Sequence, residues 1–479
     1  MVFGEIMNNV KISEIANKMA KLVEVFVDAG IPLYLVGGSV RDALLDVIRP
    51  SNIPEAGQEE LDHSIDFDFT TPALPDVVET LIKPLASDIW LVGKRFGTVS
   101  AIIDGVRVEI TTHRGEKYAL DSRNPSVVMP TTLYEDLSRR DFTINAIGLD
   151  LTDPQAELVD PFGGMADLKA GILRTPVAPG TSFEDDPLRM MRAARFAAKL
   201  GFSIANDVVD AIVAMAKRIE IVSAERVRDE LNKILLSPKP SIGLRVLVDT
   251  GLADLFLPEL PLLKLEQDPI HHHKDVLEHT YSVVDQTAPD LELRLAALFH
   301  DVGKPATRKI DAFGVSFHNH DKVGAKMTRR RMRELRYSQS QIDTVSRLVY
   351  MHLRFHTYQA GWTDKAVRRY VVESGPLLER LNALTLADCT TRNQNKVAAL
   401  ASRMADLELR ILDLREREEL DSIRAELNGE QIMATLGIGP SKDVGRALDY
   451  LLEIRMEDGL LGHDQVVARL LNWWTTRTV

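Results

Sequence analysis

The chain of 479 residues has a single cysteine, Cys389. No disulfide can form within it, and such usage fits a reducing compartment. Long apolar runs are also missing, and nothing approaches the ~18 residues of a membrane-spanning helix. Met1 to Lys21 has no apolar segment flanked by basic residues and no cleavage-like site. A cytoplasmic protein without membrane contact is expected. Positive charge is not in excess: 58 basic residues face 70 acidic ones, a net −12. This argues against a general nucleic-acid coat but leaves room for a local basic surface. There is no internal repeat and no low-complexity tract. At 45% hydrophobic and 27% charged the composition is that of an ordinary globular protein. The length is too great for one core, so two to four domains are expected.

What is present centres on Leu35 to Thr71. Leu35-Val36-Gly37-Gly38-Ser39-Val40-Arg41-Asp42 reads as the end of a buried strand (Pro32–Val36), a two-glycine turn and a helix start. Glycines let backbone N–H groups approach a phosphate closely, and helix-start amides favour an anion. Ile65-Asp66-Phe67-Asp68-Phe69 then alternates as a strand, with Asp66 and Asp68 on one face. Two carboxylates on one face suit a cation, and Mg²⁺ bound between carboxylates and substrate phosphates follows. Either half alone is commonplace; their pairing carries the functional reading. Between them, Ile48 to His63 reads as a polar loop.

Further along, Ile12, Ile15, Met19, Leu22 and Val25 repeat at helical spacing, so residues 1–30 are expected as a helix ending at Gly30. Asp76 to Ala86 is expected as another. Residues 89–103 and 106–110 read as two strands joined at Asp104-Gly105, a hairpin signal. Glu109 is a candidate third carboxylate, or equally an arginine partner in the sheet. Thr111 to Pro130 reads as a loop. Arg139-Arg140-Asp141 suits a ribose–triphosphate, because arginines pair bidentately with phosphate oxygens and Asp141 can accept from ribose hydroxyls. A plain basic helix start is the alternative. Asp160 to Gly164 reads as a turn, and Leu168 to Arg174 as a short strand or turn. Asp186 and Pro187 open a helix that Gly201 ends. Arg189, Arg192 and Arg195 form a stripe on it, which a solvated basic face would also explain. Ser223 to Leu236 is a further helix with Ser223 as its cap.

From Ile270 the chemistry changes. Most of the twelve histidines lie between His271 and His356. His279, on a helix start, His300-Asp301, ending the apolar helix Leu291–Phe299, and Asp388 are candidate metal ligands. His320 and His352 could complete a second metal shell. Lys326 to Arg336 is the densest basic run. Arg329, Arg330 and Arg333 in it are candidate RNA contacts, with a solvated helix face as the alternative. Asp406 to Glu418 is a charge-rich helix carrying Leu407, Leu409, Ile411 and Leu414.

Gly37-Gly38-Ser39-Val40-Arg41-Asp42 followed by Asp66-x-Asp68 resembles the head of the class II tRNA nucleotidyltransferase and bacterial poly(A) polymerase family. Arg139-Arg140-Asp141-Phe142-Thr143-Ile144-Asn145-Ala146 resembles its sugar-recognition motif. The resemblance is motif-dense from Ile31 to Leu236, and an HD-type metal domain follows from His271 to Asp388. It implies an α/β nucleotidyltransferase head (1–150), an all-helical neck binding nucleotide and RNA (151–265), an HD-type body (266–400) and a helical tail (401–479). Asp66, Asp68 and Glu109 would be catalytic, with Mg²⁺ on the first two. Gly37, Gly38, Ser39, Arg41, Arg139, Arg140, Asp141, Asn145, Arg192 and Arg195 would bind nucleotide. Asp186 and Arg189 would pair with its base edge, with Asp185 standing where the family has Glu. Arg226, Glu230 and Lys233 would shape the pocket. A second divalent metal would sit on His279, His300, Asp301 and Asp388. The implied reaction is addition of CMP and AMP from CTP and ATP to the 3′ end of tRNA. Within the class, poly(A) synthesis, to which Leu91 to Phe96 is similar, and A addition stand as alternatives. From another class, an HD phosphohydrolase with a degenerate head is the alternative.

Overall fold

The computed structural model describes residues 10–48, 67–113, 115–117, 126–128, 131–153, 155, 158–268, 273–311, 314–358, 362–391, 393–418 and 423–477. They fall into two compact units, Met1–Pro261 and Leu262–Val479.

The first unit opens with two helices rather than one. Val10–Lys18 and Ala20–Asp28 are separated at Met19, whose φ of −97° and ψ of 10° interrupt the helix. Ile12, Ile15, Met19 and Leu22 still form one buried stripe, and Gly30 ends the run at φ +63°. A seven-stranded sheet follows. Its strands are β1 (Tyr34–Val36), β2 (Phe67–Thr71), β3 (Ala86–Trp90), β4 (Thr98–Ile103), β5 (Val106–Thr112), β6 (Gly148–Asp150) and β7 (Leu158–Val159). The order across the sheet is β3-β4-β5-β2-β1-β6-β7, with β2 and β5 parallel and the other pairs antiparallel.

Where one strand was expected across residues 89–103, there are two. β3 stops at Trp90, and a short 3₁₀ turn ends on Gly97 at φ +87° before β4 begins. Asp104 (φ 50°) and Gly105 (φ 80°) make the hairpin their sequence predicts. β5 runs on through Thr112, and Gly115–Lys117 pairs with Ser126–Val128, so part of the expected loop is a hairpin. The helix Gly38–Ile48 buries Val40, Ala43 and Leu44, and the helix Pro75–Ile82 buries Val78 and Ile82. Each of the valine, leucine and isoleucine side chains contributes about 1.5–3 kcal/mol. Val36 at the end of β1 packs with Leu137 and Ala146, which fixes the arginine-rich segment beside the glycine turn.

The neck is mostly but not wholly helical, because Ile172–Leu173 pairs in parallel with Ser203–Ile204. Leu168 to Arg174, expected as a strand or turn, divides between that strand and the helix Gly164–Ala170. The helix Leu188–Leu200 corrects the solvated-face reading: nine of its residues are buried, Arg189 among them. Ser223 occupies the cap position of Ala224–Leu235, but its side chain makes no cap bond.

The second unit is built on the helices Val276–Gln286, Leu291–Phe299, His320–Glu334, Gln339–Met351, Leu378–Asp388 and Gln394–Glu418. His273–Asp275 is a strand rather than a helix start, and Asp275 caps the next helix through the Leu277 N–H. His271 lies outside the described residues. On Gln394–Glu418, Leu407, Ile411 and Leu414 are buried while Leu409 is 68% exposed, since it falls off their stripe. The last three helices close a core of their own around Ile432, Leu451 and Leu470. Among the described residues no helix is long and apolar enough to cross a membrane.

Candidate functional site

The glycine turn and the β2 carboxylate meet in one corner of the head. Gly37 sits at φ +76°, between β1 and the helix that Gly38 opens. A Cβ there would lie 3.2 Å from Arg140 Nη1 and 3.3 Å from Asp68 Oδ2. Glycine is therefore required both by the backbone and by the closeness of these two groups. Asp68 is the exposed residue of β2, between buried Phe67 and Phe69, as alternation predicted. Asp66 lies outside the described residues. Asp68 pairs in register with Glu109 on β5, so the two carboxylates share a face. Glu109 also accepts from Arg107 Nη2 at 3.2 Å and from Ser100 Oγ at 3.4 Å. Glu109 is thus an arginine partner in the sheet whose carboxylate also shares the face of Asp68. Ser39 is half-buried in the helix's first turn.

A buried polar chain ties this corner to the neck. Arg41, 3% exposed, donates through Nη1 to Asn145 Oδ1 at 2.8 Å. Asn145 Nδ2 donates to Asp141 Oδ1 at 2.8 Å. Asp141 Oδ1 also accepts from the Phe142 N–H at 2.9 Å, and Oδ2 accepts from Arg192 Nε at 2.7 Å and from Arg192 Nη2. Burial alone would raise the Asp141 pKa, but Arg192, with the Asn145 bond, holds it down at about 2. Both oxygens of Asp141 are thus engaged by protein donors, and the carboxylate acts as the hub of the network. Phe196, 4% exposed, lies beneath the guanidiniums of Arg41, Arg192 and Arg195 at 5.1, 5.7 and 4.4 Å from its centroid.

Arg189 is placed differently from Arg192. Its Nη1 donates to the Ser182 carbonyl at 3.1 Å and to Ser182 Oγ at 2.9 Å, and its Nη2 donates to the Arg139 carbonyl. Asp186 stands one residue before the cap position held by Pro187; it accepts from the Leu188 N–H at 3.1 Å and from Arg226 Nη2 at 3.0 Å. Glu230, 3% exposed, lies between Arg195 at 3.1 Å and Lys233 at 3.2 Å.

Sequence reasoning missed Asp136. This buried carboxylate accepts from Thr70 Oγ1 at 3.2 Å and lies 3.7 Å from Arg140 Nη2, so it holds Arg140 toward the corner. The i,i+4 spacing of Asp136 and Arg140 was the available signal. Phe196 was missed as well, although it stands one and four residues from Arg195 and Arg192.

In the second unit the expected ligands converge. His279 Nε2 lies 2.8 Å from Asp388 Oδ1, and His300 Nε2 lies 3.2 Å from Asp301 Oδ2. His320 Nε2 lies 3.5 Å from Asp301 Oδ1. The Nε2 atoms of His279 and His300 are 3.2 Å apart, and those of His320 and His352 are 3.3 Å apart. Every Nδ1 is engaged elsewhere: His279 on Thr390 Oγ1, His300, His320 and His352 on the carbonyls of Ala297, Phe317 and Val349. Facing ring nitrogens repel unless a proton or a cation lies between them, and outward Nδ1 bonds fix imidazoles as ligands. The cluster thus suits a divalent metal. Burial would lower the His300 pKa, but Asp301 reverses this and lifts it to about 8. Burial and His300 push His352 down to about 4. Lys304, three residues after Asp301, bonds it at 2.7 Å and was not anticipated. A Cβ on Gly303 would lie 2.2 Å from the His320 carbonyl, so glycine lets these helix ends meet. Of the basic run, Arg329 bonds Asp343 at 2.7 Å, while Arg330 and Arg333 are exposed.

Residues 33–174 match the Poly A polymerase head domain, residues 201–263 the "Probable RNA and SrmB- binding site of polymerase A", and residues 271–417 the HD domain. An A-adding tRNA nucleotidyltransferase of Deinococcus radiodurans is 32% identical over 458 residues, covering 93% of this chain and 96% of that protein. A CC-adding tRNA nucleotidyltransferase of Thermus thermophilus is 32% identical over 457 residues, covering 92% and 93%. A CCA-adding enzyme of a Geobacillus species is 40% identical over 244 residues, covering 51% and 55%. In fold, the chain is similar to the Bacillus stearothermophilus CCA-adding enzyme in complex with CTP, with a TM-score of 0.66 and 24% identity over 96% of this chain and 98% of that one. Since two relatives at 32% identity match along nearly its whole length and the head, RNA-binding and HD models match it in turn, the chain belongs to the class II tRNA nucleotidyltransferase (CCA-adding enzyme) family.

Proposed function

We propose that the protein adds CMP and AMP, from CTP and ATP, to the 3′ end of tRNA. The observation that supports this is the continuous hydrogen-bonded network from buried Arg41, Asn145 and Asp141 to half-buried Arg192, which joins three motifs beside the Gly37–Asp68 corner. A network so fully engaged holds its arginines in fixed positions, as binding of one triphosphate requires. In this reading the amides of Gly37, Gly38 and Ser39, with Arg139 and Arg140, hold the triphosphate. Arg192 and Arg195 face the nucleotide from the neck, and Asp141 positions Arg192. Asp186 and Arg189 define the base edge.

The corner fits Mg²⁺: Asp68 and Glu109 share a face, and Gly37 leaves the space before Asp68 and Arg140 clear of any side chain of its own. Asp66 and Asp68 would hold the ion, with Glu109 as third carboxylate. When bound, Mg²⁺ supplies charge neutralisation of the triphosphate and activation of the RNA 3′-hydroxyl. The HD cluster would hold a separate divalent metal on His279, His300, Asp301 and Asp388. Arg329, Arg330 and Arg333 are proposed RNA contacts. The division into a head to residue 150, a neck to 265, an HD body to 400 and a tail belongs to the same reading.

A second reading, restricted specificity, rests on the activities of the two relatives that match along the chain, one A-adding and one CC-adding. The test supplies purified protein with tRNA lacking its last three nucleotides, and with tRNA ending in CC, and gives CTP and ATP singly and together. Three additions to the first substrate support the proposal. Two C additions only, or A addition only to the second, assign the restricted reading. No addition by the wild type, or near-normal addition by Asp68→Ala at saturating Mg²⁺, refutes the catalytic assignment.

A further inference from the structure

Two packed helices of the HD body, His320–Glu334 and Gln339–Met351, leave a groove of about 380 Å³ along their seam. It is lined by Lys322, Ala325, Lys326, Arg329, Arg347 and Tyr350, with Ser346 at its base. The Tyr350 ring is flanked by two guanidiniums, Arg347 and Arg354, each 5.8 Å from its centroid. Five cations therefore surround an apolar floor made by Ala325, the Tyr350 ring and the hydrocarbon stems of the lysines. Among the described residues two acids contact these cations. Asp343 bonds Arg329 at 2.7 Å, and Glu373 lies 3.4 Å from Arg354 and offers its carbonyl to Arg347 at 3.0 Å. Lys322 and Lys326 are exposed and have no ion-pair partner among the described residues.

The helix face itself needs no such concentration of charge. In a chain of net charge −12 it is unfavourable to leave two unpaired lysines beside three arginines unless something anionic covers them. An apolar floor with a cationic rim is complementary to a nucleotide chain, with a base or ribose face on the floor and phosphates on the rim. We infer that this groove is an RNA-binding site that grips the phosphodiester backbone of the tRNA. The inference rests on the tRNA reading for the identity of the partner, and it extends the site beyond the arginines of the basic run to Lys322, Lys326, Arg347, Tyr350 and Arg354.

The test measures the affinity of the full-length protein for tRNA lacking its last three nucleotides, by fluorescence anisotropy from 50 to 300 mM NaCl. The variants are the triple Lys322→Gln/Lys326→Gln/Arg347→Gln and the single Tyr350→Leu. Thermal midpoints by circular dichroism confirm that each is folded. Neutralising three phosphate contacts should lower the slope of log affinity against log salt by about 2 to 3. At 150 mM NaCl, Kd should rise about tenfold to a hundredfold, with the same rise in KM for tRNA. Tyr350→Leu should weaken binding several-fold without changing the slope, a signature that a merely structural residue would not give. Wild-type Kd and slope in the triple variant overturn the inference. So does displacement of wild-type tRNA by polyglutamate as readily as by polyuridylate, which would make the groove a general acid-binding surface. Failure of the nucleotide-addition reading shows separately, as wild-type protein that binds tRNA but adds nothing.

Discussion

Gly37→Ala tests the head corner most directly, because a second glycine provides its control. At φ +76°, alanine meets backbone strain of about 1–2 kcal/mol. Its Cβ also falls 3.2 Å from Arg140 Nη1 and 3.3 Å from Asp68 Oδ2, so one or both must yield by a few tenths of an ångström. Gly30 adopts a similar φ of +63°, yet a Cβ there meets nothing within 4 Å. Gly30→Ala should therefore show the strain alone. In urea unfolding both variants should lose about 1–2 kcal/mol. In single-turnover nucleotide addition with saturating substrates they should separate. A misplacement of about 1 Å near reacting groups costs about a hundredfold, so a shift of a few tenths should slow Gly37→Ala about tenfold or more. Gly30→Ala should keep the wild-type rate. Equal rates in the two variants would mean that neither Asp68 nor Arg140 acts from the position it holds beside Gly37.

Three further outcomes are expected. Asp141, held at about 2 against an ordinary value of 3.8, stabilises the fold above about pH 4, and that contribution disappears as pH falls toward 2. The stability gap between wild type and Asp141→Asn, measured by urea unfolding, should shrink by about 2 kcal/mol over that window, and parallel pH profiles would refute the coupling to Arg192. Arg189→Ala and Asp186→Ala should disturb the choice among CTP, ATP, UTP and GTP more than turnover; wild-type selectivity with lowered stability alone would reduce them to the Ser182, Arg139 and Arg226 contacts seen here. His300→Ala combined with Asp301→Ala should remove divalent metal detectable by elemental analysis and leave nucleotide addition in place. Metal-free wild type, or loss of addition in a folded variant, contradicts the independence of the two centres.

What the sequence revealed, and what it hid, follows from how far apart the partners lie. Asp68 on the exposed face of β2, the Asp104-Gly105 hairpin, and the helix ended by Gly201 depend on neighbours within a few residues, and periodicity and turn chemistry captured them. The histidines and aspartates of the HD centre were also legible, because few uses of so many imidazoles compete with metal binding. The fate of the arginine stripe was not. Spacing shows only that Arg189, Arg192 and Arg195 share a side of one helix; it cannot show that this side faces inward. The burial of Arg189 and the half-burial of Arg192 follow from acceptors supplied up to 51 positions away, the Arg139 carbonyl for Arg189 and Asp141 for Arg192. The break at Met19 and the extra strand before Gly97 are likewise decided by packing and by one left-handed glycine rather than by pattern.

That difference bears on how the site works. An exposed arginine stripe would bind triphosphate by mobile, salt-screened contacts, each contributing little. A stripe anchored in this way cannot rearrange freely, because removing Arg192 leaves the buried Asp141 carboxylate without its charged partner, at a cost of about 3–5 kcal/mol. The same carboxylate also orients Asn145, which orients Arg41 beside the glycine turn. Asp136 does the corresponding work from the other side, between Thr70 of β2 and Arg140. The two carboxylates thus fix the arginines from opposite directions before any nucleotide arrives. Since neither needs to touch substrate to do this, their conservative amides should separate the two roles. Asp136→Asn keeps the Thr70 bond and loses only the charge that draws Arg140 to the corner. It should therefore raise KM for the nucleotide several-fold in steady-state addition, with kcat little changed. A fall in kcat with KM unchanged would instead show that Arg140 acts only once the transition state forms.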